Sequence, residues 1–440
     1  MEVVINALAS AVWGAPLIVA LLGTHIFMTF RLRGIQRHVF SAVRLSIKKE
    51  KGACGDVSPF SALMTALAAT IGTGNIVGVA TAVACGGPGA VFWMWISGIF
   101  GMATKYAESL LSVKYRTINE NGEIAGGPMY VMERGLKMKM LGRVFAFFTA
   151  IAAFGIGAMV QANSISTVFS SVFRLPPLFT GAVIALLSGC VILGGIKSIA
   201  RVCNLIIPIS GVVFIVCNLS ILFMGSANIP HTFILIFSSA FTGQAAAGGF
   251  AGATAREAMR FGISRGLFSN EAGLGSEPIV AAAAQTKSPV RQALVSLTGT
   301  FWDTVVLAAL TGVMIINSGA WMCGESGGAL TARVFEKLPA GSVLLALCLF
   351  TFAFATCIGW SYYAQKAVEY LFGHRSVNAY KAIYVLLIFV GALFPLGAVW
   401  SFSDIANALM AVPNLYSVIM LSGVVAKETQ RSLKRVLEEK

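Results

Sequence analysis

Long apolar runs alternate with short polar stretches along almost the whole chain. Many of them approach the roughly 20 residues that cross a bilayer as a helix. Spans are predicted over about residues 12–30, 60–85, 91–111, 144–163, 178–194, 205–224, 293–316, 343–371, 380–399 and 404–425, with a further one beginning near His231. That makes an all-α chain of about eleven transmembrane helices. Two of the runs are interrupted. Residues 65–78 hold Gly72, Gly74 and Gly78, with Thr70, Thr73 and Asn75 among them. The run from His231 is broken by Thr242, Gly243 and Gln244 and then by Gly248, Gly249 and Gly252. Glycine weakens a helix interior by roughly 1 kcal/mol against alanine, and freed backbone groups are costly in hydrocarbon. Small residues also serve close helix packing. The polar residues interleaved with the first set point instead to a broken helix lining a solute-sized site.

Charge fixes the expected topology. Of 440 residues, 57% are apolar and 11% charged, against about a quarter charged in soluble proteins, and mean hydropathy is +0.81. The net charge of +14 does not imply a nucleic-acid partner, because the basic residues fall between apolar runs. Arg31, Arg33, Arg37, Arg44, Lys48, Lys49 and Lys51 follow the first run, and Lys427, Arg431, Lys434, Arg435 and Lys440 follow the last. The positive-inside rule puts these loops in the cytoplasm of a multi-pass cell-membrane protein, the N-terminus outside and the C-terminus inside. All of the 32 Lys and Arg except Arg174, Arg333 and Lys337 then fall on the cytoplasmic side. No secretory leader is expected, since Glu2 is the only charge at the N-terminus. Eight cysteines without a CxxC pair and four scattered histidines give no metal pattern.

With the first span set aside, the two interrupted spans open two halves of five and cross in opposite directions, the sequence pattern of an inverted-repeat secondary transporter. The expected organisation is an extra helix and basic loop (1–58), a first repeat (59–225), a second repeat (226–425) with a cytoplasmic loop at 255–292, and a basic tail (426–440). Half-helix N-termini offer N–H groups to a carboxylate, and half-helix C-termini offer carbonyls to a cation or ammonium. Among the 18 acidic residues only Asp303 is expected near mid-span, as a coupling residue or a hydrogen-bonded structural one. Glu108, Glu369 and Asp404 are expected at helix ends. An intramembrane enzyme would need a nucleophile or metal constellation that the sequence lacks. A channel would more naturally repeat one pore-lining pattern. A proton-coupled carrier using Asp303 stays open.

Residues 86–98, Gly-Gly-Pro-Gly-Ala-Val-Phe-Trp-Met-Trp-Ile-Ser-Gly, resemble the signature of the alanine/glycine:cation symporter family. The blocks at residues 72–76, 269–276 and 359–363 are similar to others of that family, so the likeness covers nearly the whole chain. It implies Na⁺-coupled uptake of alanine or glycine on a leucine-transporter-like five-plus-five fold with one extra helix in front. By position, Thr73, Gly74 and Asn75 meet the substrate carboxylate, and Gln161 reaches the carboxylate or the amine. Phe241, Thr242 and Gln244 border the second break. Trp360 either limits the side-chain pocket or is a packed core aromatic. The implied Na⁺ site joins the carbonyls of Ala68 and Ile71 to the Thr356 hydroxyl. Cys357 stands where a second hydroxyl often sits, and a thiol is a poor Na⁺ ligand.

Overall fold

The computed structural model describes residues 12–48, 50, 52–246, 248–394 and 396–438, with side chains at all of these except 396–402. Glu2, Lys49, Lys51 and Lys440 lie outside the described residues. Helix α1 (Ala15–Arg31) turns at Gly34 into the short α2 (Ile35–Ser46), 69° away. The first broken span follows, as α3 (Pro59–Thr70) and α4 (Gly74–Gly86), bent by 49°. Ser58 starts it, its Oγ accepting from the Ser61 N–H at 3.1 Å, with Pro59 in the first turn. Ile71 leaves helical geometry with ψ 88°, which ends α3. Then come α5 (Gly89–Lys114), α6 (Lys139–Phe173), α7 (Pro177–Leu193) and α8 (Gly195–Met224). A hairpin pairing Thr117 with Ala125 links α5 to α6.

The second half opens differently from the sequence expectation. Helix α9 (Ile229–Thr242) does not cross the molecule. It starts beside Asn317, whose Nδ2 donates to the Gly225 carbonyl at 3.2 Å, and ends against Gly89 and Trp93. Phe250, which packs on Trp321 and lies beside Gly87, joins those two places at one end of the molecule. At 1.5 Å per residue its 14 residues are also too short to span. Phe233, Ile234, Phe237 and Phe241 point outward, and Ile236, Ser239 and Ala240 are buried.

The stretch expected as a cytoplasmic loop at 255–292 is instead the second broken helix, α10 (Ala255–Asn270) and α11 (Pro278–Ala282). A capping box starts α10: Thr254 Oγ1 accepts from the Glu257 N–H, and Glu257 Oε2 accepts from the Thr254 N–H at 2.7 Å. Ala258, Gly262 and Gly266 recur every four residues; Ala258 lies beside Gly86 at the end of α4, and Gly262 and Gly266 lie against α5. A Cβ added at Gly262 would come within 2.2 Å of the Ala90 carbonyl oxygen, and one at Gly266 within 2.4 Å of Ser97 Oγ. This small-residue seam buries a helix whose arginines made it read as a loop. Glu257 and Ala258 lie beside Gly86, so Arg256 and Arg260 begin at the end opposite the basic loops, not with them as expected.

Helices α12 (Pro289–Asn317), α13 (Gly327–Phe335), α14 (Gly341–Phe372), α15 (Ser376–Gly391), α16 (Leu396–Met420) and α17 (Ser422–Glu438) complete the bundle. Among the described residues, four helices are long and apolar enough to cross a membrane, or up to seven spans if each bent pair counts as one. Helices α7 and α15 are apolar but have 17 and 16 residues.

Candidate functional site

The two breaks meet at the centre of the bundle. A Cβ on Gly74 would stand 3.1 Å from Ser269 Oγ, and one on Gly72 would stand 2.6 Å from Thr356 Oγ1 and 3.3 Å from Gln161 Oε1. Glycine at 72 therefore lets α6, α14 and the first break converge on one point. Thr356 Oγ1 donates to the carbonyls of Ala68 at 2.9 Å and Phe352 at 3.0 Å. It thus joins a carbonyl at the end of α3 while also making the bond back to its own helix. Gln161 Nε2 donates to the Ile156 carbonyl at 3.0 Å, and its buried Oε1 has no hydrogen-bond partner among the described residues. The buried Thr73 Oγ1 lacks one too. Unpaired buried polar atoms are costly unless something else partners them.

Asn75, on the first turn of α4, is committed to the protein. Its Nδ2 donates to Asp303 Oδ1 at 2.7 Å. Ser269 Oγ lies 3.2 Å from Asn75 Oδ1 and 3.1 Å from Asp303 Oδ1, and Thr304 Oγ1 donates to Asp303 Oδ2 at 2.7 Å. Asp303 is completely buried. Residues 74–78 and 301–308, which carry Asn75 and Asp303, are π-helical, and so are residues 153–159 just before Gln161. Such wide turns point side chains out of the ordinary register and concentrate at functional sites.

The second break runs through residues 271–277. Glu271 takes a left-handed conformation (φ 54°), and Gly273 and Gly275 follow at φ 88° and 82°. Glu271 Oε1 accepts from Trp360 Nε1 at 2.8 Å, and Oε2 accepts from Ser276. Trp360 is fully buried, edge-on to Tyr363, and a Cβ on Gly157 would fall 2.5 Å from its own Cβ. Next to it, Cys357 presents its carbonyl to Tyr384 Oη at 2.9 Å.

The structure thus brings Ala68, Gly74, Asn75, Gln161, Asp303, Thr356 and Trp360 around the two breaks, with Thr73 beside them in the chain. Ile71 caps α3, and its side chain faces an apolar cavity with Phe60 and Trp302. It does not bring Phe241, Thr242 and Gln244 there. Phe241 is 63% exposed and packs on Phe92 and Trp93, Thr242 is exposed, and Gln244 pairs with Ala253. The glycines of residues 243–252 make a surface turn, and the break lies about thirty residues further on, as the chain order of α9, α10 and α11 requires.

Sequence reasoning also missed a buried charge cluster. Lys105 Nζ pairs with Glu277 Oε2 at 2.9 Å, and both are buried. Glu108 accepts from Asn414, which also donates to the Gly273 carbonyl at 2.9 Å. Asp303 is therefore not alone: Glu108, Glu271 and Glu277 are buried as well. From α1, Leu21 and His25 reach Gly273, and His25 Nδ1 lies 2.8 Å from Thr104 Oγ1. The signal was the pairing of acidic residues with Gly273, Gly275 and Pro278, a turn sequence inside a charged run.

At the basic end, the Arg116 guanidinium donates to the carbonyls of Cys54, Ala282, Ala284 and Thr286 at 2.8–3.1 Å. Lys366 bonds Glu123 at 2.9 Å, and that hydrogen bond holds the Glu123 carboxyl below its ordinary range. Burial pushes the Asp56 carboxyl up, although it accepts from the Ile124 N–H. At the other end Thr331 Oγ1 donates to the Ile76 carbonyl at 3.0 Å, and a cavity of about 780 Å³ reaches Ile76 between α6, α13 and α14.

The fold agrees with a solved structure, the crystal structure of MhsT in complex with L-phenylalanine, at a TM-score of 0.63 and 14% identity over 88% of this chain and 96% of that one. The expected leucine-transporter-like architecture is therefore that of the molecule. The chain is 49% identical to the sodium/alanine symporter AgcS of Methanococcus maripaludis, over 97% of this chain and 96% of that protein. It is 46% identical to an uncharacterized transporter of Haemophilus influenzae, over 99% and 97% of the two chains. A model of the sodium:alanine symporter family matches residues 1–440, and the chain belongs to that family of sodium-coupled transporters, which are not enzymes.

Proposed function

We propose that this protein couples inward movement of Na⁺ to uptake of a small neutral amino acid, alanine or glycine, by alternating access, with its N-terminus outside and its C-terminus in the cytoplasm. The carrying observation is the meeting of the two broken helices at Gly74 and Ser269, with Thr73 Oγ1 and Gln161 Oε1 buried close by without partners among the described residues. In this reading the N–H groups of Thr73 and Gly74, with the Thr73 hydroxyl, hold the substrate carboxylate. Gln161 Oε1 and carbonyls at the end of α10 accept from its ammonium. Trp360, held by Glu271, closes the side-chain pocket to anything much larger than a methyl group. Asn75 supports the site from behind through Asp303 rather than touching substrate first. The carbonyls of Ala68 and Ile71 and the Thr356 hydroxyl take Na⁺, a hard cation suited to oxygen ligands; Cys357 contributes no hard donor through its thiol.

The relative named a sodium/alanine symporter supports alanine as the substrate. The repeats run over residues 59–225 and 226–425, the second with its broken helix at Ala255–Ala282 (α10 and α11). A second reading, proton coupling, draws on the complete burial of Asp303. The purified protein in proteoliposomes decides between them. An inward Na⁺ gradient should drive concentrative uptake of labelled alanine or glycine. Uptake driven equally by a pH gradient without Na⁺, and lost in Asp303→Asn, would overturn the sodium reading.

A further inference from the structure

At the basic end, α1 finishes beside the elbow where α16 bends by 57° into α17. Between them lies a cavity of about 360 Å³, lined by Phe30, Arg31, Arg33, Gly423, Lys427 and Gln430 with Ala426. Three cations face this space, and no carboxylate among the described residues lines it. None of the three makes a hydrogen bond through its side chain or an ion pair among the described residues. The acid next in sequence to Lys427, Glu428, is taken by Lys114 at 2.6 Å. Gly423 lines the cavity beside Arg31: a Cβ there would meet Arg31 Nη2 at 3.8 Å, an ordinary contact, so only a larger side chain would fill the space. Directly up the same helix, Phe30 is 75% exposed and Phe27 42% exposed. The cavity therefore sits where an apolar, outward-facing helix surface gives way to unpaired positive charge.

We infer that this cavity binds the headgroup of an anionic phospholipid, its phosphodiester held by Arg31, Arg33 and Lys427 and its acyl chains lying along Phe30 and Phe27. Basic pockets between membrane helices suit such headgroups, and a guanidinium matches two phosphate oxygens at once. A zwitterionic lipid would bring an ammonium into a space with three cations and no acid, so the lipid is one without a headgroup cation. A free phosphate would satisfy the charges but leave the exposed phenylalanines unused. The lipid would clip the first helix, which reaches Gly273 of the second break through Leu21 and His25, to the C-terminal helix.

The test uses the full chain, purified in detergent and stripped of lipid. Phosphatidylglycerol, phosphatidylcholine or inorganic phosphate is offered, and retained molecules are counted by native mass spectrometry. We expect one phosphatidylglycerol kept in preference to phosphatidylcholine by on the order of tenfold or more. The variant Arg31→Gln/Arg33→Gln/Lys427→Gln should lose that preference, while Lys434→Gln on the same C-terminal helix keeps it. Gly423→Leu, which fills the space and removes no charge, should also lose it. Equal retention of the two lipids, full displacement of phosphatidylglycerol by inorganic phosphate, or unchanged retention in both cavity variants would each overturn the inference.

Discussion

Thr356 carries two bonds with one hydroxyl, to the Ala68 carbonyl and to Phe352 in its own helix. Valine is nearly the same size and lacks the oxygen. If the hydroxyl is a Na⁺ ligand, Thr356→Val should raise the half-saturating Na⁺ concentration for uptake by roughly tenfold to a hundredfold, the equivalent of about 1–3 kcal/mol for one lost polar contact. An unchanged Na⁺ dependence would place the ion elsewhere. Trp360 poses the matching question for the amino acid. It is buried against Gly157 and fixed by its bond to Glu271. Trp360→Ala should let leucine and methionine compete with labelled alanine for uptake, and competition measured on folded protein checks this. The position of these two residues beside the breaks was legible in sequence because each stands in or near a family block. The place of Asn75 at the first break was legible, but not its pairing with Asp303. That pairing joins residues 228 positions apart, across two π-helical turns that no local pattern announces.

At the scale of elements, the first break could be read because glycine, threonine and asparagine interrupt an otherwise apolar run. The second could not, for a physical reason. Helix α10 carries Arg256, Arg260 and Arg265, so its composition is that of a loop, and hydropathy moved the span onto the apolar α9. The seam of Ala258, Gly262 and Gly266 against the end of α4 and α5 was the competing signal, since close helix contact can bury a polar helix. The break it leads to is held by the buried Lys105–Glu277 pair. Removing one partner of such a pair strands a charge and costs about 3–5 kcal/mol, whereas replacing both with apolar groups can be near neutral. Lys105→Met or Glu277→Leu alone should therefore lower the melting temperature in detergent strongly, and Lys105→Met/Glu277→Leu should recover much of the loss. If the double variant falls as far as the two single losses added together, the pair is not coupled.

For the whole molecule, the two ends of the bundle are closed by different means, and this bears on which way the site opens. At the basic end the entry to the first broken span and the exit of the second are laced together. The Asp56 N–H donates to the Ala283 carbonyl at 2.8 Å, the Gln285 N–H to the Val57 carbonyl at 2.8 Å, and Arg116 gathers four more carbonyls from both segments. At the opposite end one hydroxyl, Thr331, ties α13 to Ile76, and a large cavity already reaches that point. The energetic asymmetry is plain: hydrogen bonds from a charged donor are worth about 1.5–3 kcal/mol each, and neutral ones about 1. Arg116 is therefore the principal lock on the basic end. In the proposed alternating-access reading, with the basic end facing the cytoplasm, that lock opens for release, so loosening it should shift the population rather than destroy the site. A cysteine placed at Ala284 should react slowly with a membrane-impermeant thiol reagent applied from the basic end. In an Arg116→Ala background it should react several-fold faster, and Na⁺ with alanine should change that rate less than in the parent. Concentrative uptake should fall, because an inner path that stays open lets substrate leak back. Identical labelling rates with and without Arg116 would mean that the backbone pairing through Asp56, Val57, Ala283 and Gln285 closes this end by itself.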